Sequence, residues 1–360
     1  VKRDSWLRKL IEQLITDKPE ILHDEEKLSN VITDAINKSL PEASELIYNN
    51  LKTNSGDMLE DHRLLRQEFE ARLQRRWSKA LNLLETLIVL SRESGEEFCE
   101  DVFDEDAEID NLQVSSVIVR LHARACRVAH EVLTLLRAGY ADGALARWRT
   151  LHEVSTTAFF IAHHGKDLAI RYVEYEDIER YNEMLEYQRS YEKLGYEKLE
   201  DEAVQEIIER KEELVKSYGE DFRKEYGWTL GILPKGKRTF KHIEESMDFS
   251  HWRTYFKLAN NYVHSGPLGT IFPLGSMKHV DHLLPGASNY GLATPGQNTG
   301  ISLVQITTCL LTIEPTYQRL LAAKVLQLFL YELCSEFVDT QEDIENEEKE
   351  LRKREEAIVE

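Results

Sequence analysis

The chain has 360 residues, 65 of them acidic and 45 basic, giving a formal charge of −20 and a pI near 5.1. Apolar residues make up 42%, with only 8 prolines and 17 glycines, which excludes collagen-like, low-complexity and wholly disordered chains. The acid excess argues against a broad nucleic-acid-binding surface, because phosphate binding depends on Lys and Arg, but it leaves room for a local basic cleft.

In chain order, Trp6, Leu7, Leu10, Ile11 and Leu14 mark one face of a first helix, behind Val1-Lys2-Arg3-Asp4. This segment is amphipathic and lacks the uninterrupted apolar core of a signal peptide. Ile32, Ile36 and Leu40 mark a second helix ahead of Pro41. Trp77, Leu81, Leu84 and Ile88 repeat at intervals of four, three and four, an inward face that runs back through Leu73 and Phe69. The stretch from Glu96 to Asp110 then holds nine acidic residues and no basic one, and is read as a solvated loop or a docking strip for a basic partner.

Val117 to Arg137 and Ala141 to His163 are expected to be two antiparallel helices, joined at Ala138-Gly139-Tyr140 and packed closely through small residues at the turn. From Arg171 to Leu230 there are 18 acidic and 10 basic residues with eight tyrosines, the pattern of amphipathic helices with Tyr along a half-buried seam. A helix is expected from His251 to Val263. The segment Gly266–Gly300 carries seven glycines and four prolines and is read as a long functional loop. A last long helix starts near Pro315 with Leu320, Leu321, Val325 and Leu328 inward, and Gln341–Glu360 is a charged helix or tail.

These elements give an all-α chain, an antiparallel helical bundle, in three regions. They are an N-terminal helical region (1–68), a helical core (69–338, with an insert at 171–230 and a loop at 266–300) and a charged tail (339–360). No window reaches the apolar length of a membrane span. Cys99, Cys126, Cys309 and Cys334 are scattered without paired spacing, as expected for thiols in a reducing cytoplasm. The signatures of P-loop ATPases, zinc proteases, serine hydrolases and dinucleotide-binding folds are absent. His279, Asp281 and His282 make only a weak metal set, and no metal or cofactor is expected.

Two segments concentrate polar residues on otherwise apolar helices. In the first, Arg137 to Glu153, Arg149 and Glu153 stand at i and i+4 and can pair; such a pair either orients a site or fixes packing. In the second, the segment Arg253 to Ser265 that also contains Tyr262, the residues Arg253, Lys257, Asn260, Asn261 and His264 fall along one helical stripe that ends at Ser265-Gly266-Pro267. A His at such a boundary can exchange protons near neutral pH.

The string Arg137 to Glu153, the helix centred on Trp77 and the segment Tyr255 to Ser265 resemble the bacterial domain of unknown function 5677 family, over roughly Phe69 to Tyr331. That family is similar in outline to HEPN (higher eukaryotes and prokaryotes nucleotide-binding) domains, helical bundles that include metal-independent ribonucleases of toxin–antitoxin and anti-phage systems. The resemblance implies an RNA-cleaving effector with His264 as general acid or base, and Arg253 or Lys257 as phosphate clamp. Asn260 and Asn261 would position the ribose, and Arg149, Glu153, Arg147, Tyr262 and Ser265 would support the site or bind substrate. The sequence departs from the HEPN pattern of Arg, four to six residues, then His: ten residues separate Arg253 from His264, and Lys257 holds the six-residue spacing. Literal matches at Arg124…His130 and Arg147…His152 are no more numerous than chance gives. RNA in a confined cleft, a basic protein, a second copy of the chain or a defence complex are the expected partners. A non-catalytic interaction subunit and a small-nucleotide sensor are the alternative readings.

Overall fold

The computed structural model of the chain describes residues 16, 25–103, 111–264, 266–276 and 283–359. The expected helix at Trp6–Leu14 and the His279, Asp281, His282 set lie outside them, as does Ser265. Among the described residues every regular element is a helix. The α-helices are α1 (Glu25–Val102), α2 (Leu112–Arg137), α3 (Ala141–His164), α4 (Lys166–Leu194), α5 (Asp201–Tyr218), α6 (Phe240–Ser246), α7 (Arg253–Val263), α8 (Pro267–Ile271), α9 (Ala293–Leu311) and α10 (Tyr317–Val359). The chain divides into two units, Val1–Phe69 and Glu70–Glu360.

In the first unit the described residues are helical from Glu25 onward, and Leu40, Ile47, Leu51, Met58 and Leu65 are exposed. Pro41 does not end the helix as expected; it lies inside α1. The carbonyl it deprives of a partner is that of exposed Asn37, where water can take over the lost bond.

The second unit holds the core. The turn at Ala138–Tyr140 lets α2 and α3 pack antiparallel, with Gly139 at φ 80° supplying the left-handed residue. α9 packs against both helices and against α10. Trp148 on α3 donates from Nε1 to the Asn298 carbonyl at 2.9 Å, and Trp77 donates to the Asn289 carbonyl at 3.1 Å. Leu73, Trp77, Leu81, Leu84 and Ile88 are all buried, the face their spacing predicts. The tyrosine seam also holds: Tyr175 donates to the Lys224 carbonyl at 2.8 Å and Tyr172 meets Trp228 edge-on.

Three further expectations change. Glu96–Val102 is helical, because Phe98 and Val102, one turn apart, are buried and Asp101 pairs with Arg319 at 2.9 Å. The expected loop 266–300 is helical at Pro267–Ile271 and again from Ala293; Gly296 and Gly300 are therefore helical residues, bare where Phe337 and Leu333 of α10 press in. On α10, Leu320, Leu321, Val325 and Leu328 point outward, and Leu326, Leu333, Phe337 and Ile344 form the buried face. This helix is apolar on two faces, and periodicity alone cannot choose which one faces the core. The residues 341–359 continue α10.

Candidate functional site

The centre of the polar cluster is a buried carboxylate. Glu244 lies on the short helix α6, and both its oxygens are engaged: Oε1 is 2.9 Å from His152 Nε2 on α3, and Oε2 accepts from Arg253 Nη1 on α7 at 2.5 Å. His152 and Glu244 side chains are each 1% exposed. A buried carboxylate persists only when its lone pairs are satisfied, and here two helices supply the donors. His152 is enclosed by rings, stacked on Trp148 at 5.4 Å and edge-on to Phe240 at 5.8 Å. Asp248, at φ 58°, makes the turn between α6 and α7 that brings Arg253 back to Glu244.

Arg149 and Arg253 flank the same aromatic ring. Their guanidinium carbons lie 4.7 Å and 4.9 Å from the centre of Phe256, within cation–π range. Glu153 pairs with Arg149 at 3.1 Å, so each guanidinium is held by its own carboxylate while a quarter or more of each side chain stays exposed. The Nε of each Arg has no hydrogen-bond partner among the described residues, and the same is true of Asn260 Oδ1. Tyr226, at φ 55°, borders this pair; burial and then the Glu153 charge push its hydroxyl up to about 12. A non-glycine residue in this backbone region is strained.

Farther along α7 the surface opens. Lys257 is exposed, Asn260 and Asn261 are half-buried, and His264 is exposed just past the last helical turn, its N–H bonded to the Asn260 carbonyl at 3.0 Å. Tyr262 donates to the Phe272 carbonyl at 3.2 Å, and burial with the nearby Asp142 charge pushes it up to about 12. His264 lies eleven positions beyond Arg253, about 16 Å along the axis. The expected constellation is thus spread over three turns, too far for Arg253 and His264 to share one small group. Arg147 points elsewhere, pairing with Glu131 on α2.

Sequence reasoning missed His152 and Glu244 as members. The chance-level Arg147…His152 spacing carried no signal, Arg147 pairing instead with Glu131, and nothing around Glu244 sets that carboxylate apart from 64 others. Among the described residues no group of three His, Cys, Asp or Glu side chains could hold a metal ion. A separate cleft of about 630 Å³ lies between α1 and α2, lined by Ile88, Val119, His122, Cys126 and Arg127.

Both arms of the cluster fall inside one stretch of recognisable sequence. Residues 115–274 match the model of a family of unknown function (DUF5677). The DUF5677 match runs from the first turns of α2 through α8 to Leu274, so it takes in Arg149, His152, Glu153, Glu244 and all of α7. It is narrower than the Phe69–Tyr331 span of the resemblance. No curated protein and no solved structure matches the chain. No helix among the described residues is long and apolar enough to cross a membrane.

Proposed function

We propose that this chain binds RNA along α7 and cleaves it without a metal ion, as a HEPN-like ribonuclease of the kind its resemblance implies in bacterial defence. One observation carries the reading. From Phe249 to Ser276 the sequence contains no Asp or Glu, in a chain of charge −20, and Arg149 and Arg253 sit over Phe256 in this acid-free stretch. Guanidinium planes beside an aromatic ring suit a phosphate chain and its bases.

In this reading Arg149 and Arg253 anchor phosphates a few nucleotides from the scissile one, and Lys257 follows along the strand. His264 takes the proton from a ribose 2′-hydroxyl, the 2′-oxygen attacks the adjacent phosphorus, and the 5′-oxygen leaves, taking a proton from solvent. The products are a 2′,3′-cyclic phosphate and a 5′-hydroxyl end. Asn260 and Asn261 position the ribose. The spacing that departs from the HEPN pattern gives Arg253 the role of strand anchor, one step removed from the reacting phosphate.

His264→Ala should abolish cleavage of single-stranded RNA, and with it the 2′,3′-cyclic ends, with melting unchanged because His264 is exposed. Full activity in that variant would sink the assignment. The exposed apolar side chains of α1 and α10 favour a second reading, a non-catalytic interaction subunit, which predicts no cleavage by the wild-type chain.

A further inference from the structure

The outer face of α10 carries large apolar side chains in open solvent. Tyr317, Leu321, Leu328 and Tyr331 are 77%, 52%, 58% and 61% exposed. With Lys324 they follow one another at intervals of four, three, four and three, the seam spacing of two helices packed side by side. Leu320 and Val325 widen the stripe and are exposed as well. A helix that is apolar on opposite faces is a helix meant to be covered on both. The inner face is covered by α9 and by Trp77; among the described residues the outer one is not.

The charges on this stripe fit its own copy. Lys324 lies four residues before Leu328 and Glu332 four residues after it. Both are exposed. Two copies of α10 crossing antiparallel at Leu328 therefore set each Lys324 opposite Glu332 of the second copy, with Leu328 meeting Leu328 on the axis. A parallel pairing would set Lys324 against Lys324. Glu336, the next acid, is already engaged by Lys79 at 2.5 Å. In this register Tyr331 meets Val325 of the second copy on either side of Leu328, and these three side chains expose on the order of 300 Å² per copy, the apolar centre of a small interface.

We infer that the chain forms a two-fold dimer through antiparallel packing of the outer faces of α10, centred on Leu328 and registered by reciprocal Lys324–Glu332 pairs. The interface is isologous, so each contact occurs twice, and a single charge reversal removes two attractions and creates two repulsions.

The test is the mass of the full chain by light scattering or sedimentation over a micromolar concentration series. The wild type should be dimeric, and Leu328→Glu monomeric with unchanged helicity. Lys324→Glu and Glu332→Lys should each raise the dimer dissociation constant about tenfold, and the double reversal should return it to within about threefold of wild type. A monomeric wild type at tens of micromolar would overturn the inference. So would a Leu328→Glu dimer, or a double reversal no tighter than the single variants.

Discussion

Glu244 accepts from His152 and from Arg253 at once, so the two residues that hold the candidate site in place come from helices about a hundred positions apart. Arg253 was legible as a member of a polar stripe; its partner was not, because no local pattern marks one carboxylate as buried. His122 teaches the same lesson on α2. Its Nε2 lies 3.0 Å from Thr307 Oγ1, and Gly95 leaves the space its ring fills, since a Cβ there would lie 2.7 Å from it. Burial lowers His122 from 6.5 to about 4, so the unfolded chain holds this proton more tightly than the folded one. The stability it contributes is complete above pH 6.5 and is lost as the pH falls from there through about 4. Between pH 7 and 4.5 the wild type should lose roughly 2–3 kcal/mol more unfolding free energy than His122→Asn in urea titrations. Equal losses in the two proteins would show that His122 is not buried in its neutral form.

At the scale of elements, α9 is the central helix and its glycines set how closely α10 approaches. A Cβ at Gly296 would lie 2.3 Å from the Phe337 ring. Alanine gains about 1 kcal/mol over glycine in a helix interior, but overpacking a filled core costs about 1–3 kcal/mol. Gly296→Ala should therefore lower the melting temperature, and adding Phe337→Leu should recover part of the loss. A variant more stable than wild type would mean that the ring can move away at little cost. The α2–α3 hairpin was readable to within a few residues, because its apolar period and its Gly139 turn are local signals. The Gly266–Gly300 segment was misread at its end for the converse reason: helical glycines kept for close packing look, in sequence, like loop glycines.

For the whole molecule, the acidic residues gather in the C-terminal part of α1, in α4 and α5, and at the end of α10; α7 itself carries no acidic residue, and near it stand Asp142 and the carboxylates that hold Arg149 and Arg253. The buried apolar side chains among the described residues begin at Leu73, inside the second unit. A chain of residues 70–360 should accordingly keep a single cooperative thermal transition and most of the ellipticity per residue. Loss of the transition would show that residues 1–69 contribute to the stability of the core.

The sequence by itself determined the helical class, the α2–α3 hairpin, the inward face around Trp77 and the polar stripe of α7, because each depends on spacing within one helix. Only the tertiary structure decided which of two apolar faces of α10 is buried, which carboxylate meets Arg253, and how far Arg253 lies from His264. Those outcomes depend on contacts between segments distant in the chain, where burial changes what a carboxylate or an imidazole costs. A one-dimensional pattern carries no measure of burial.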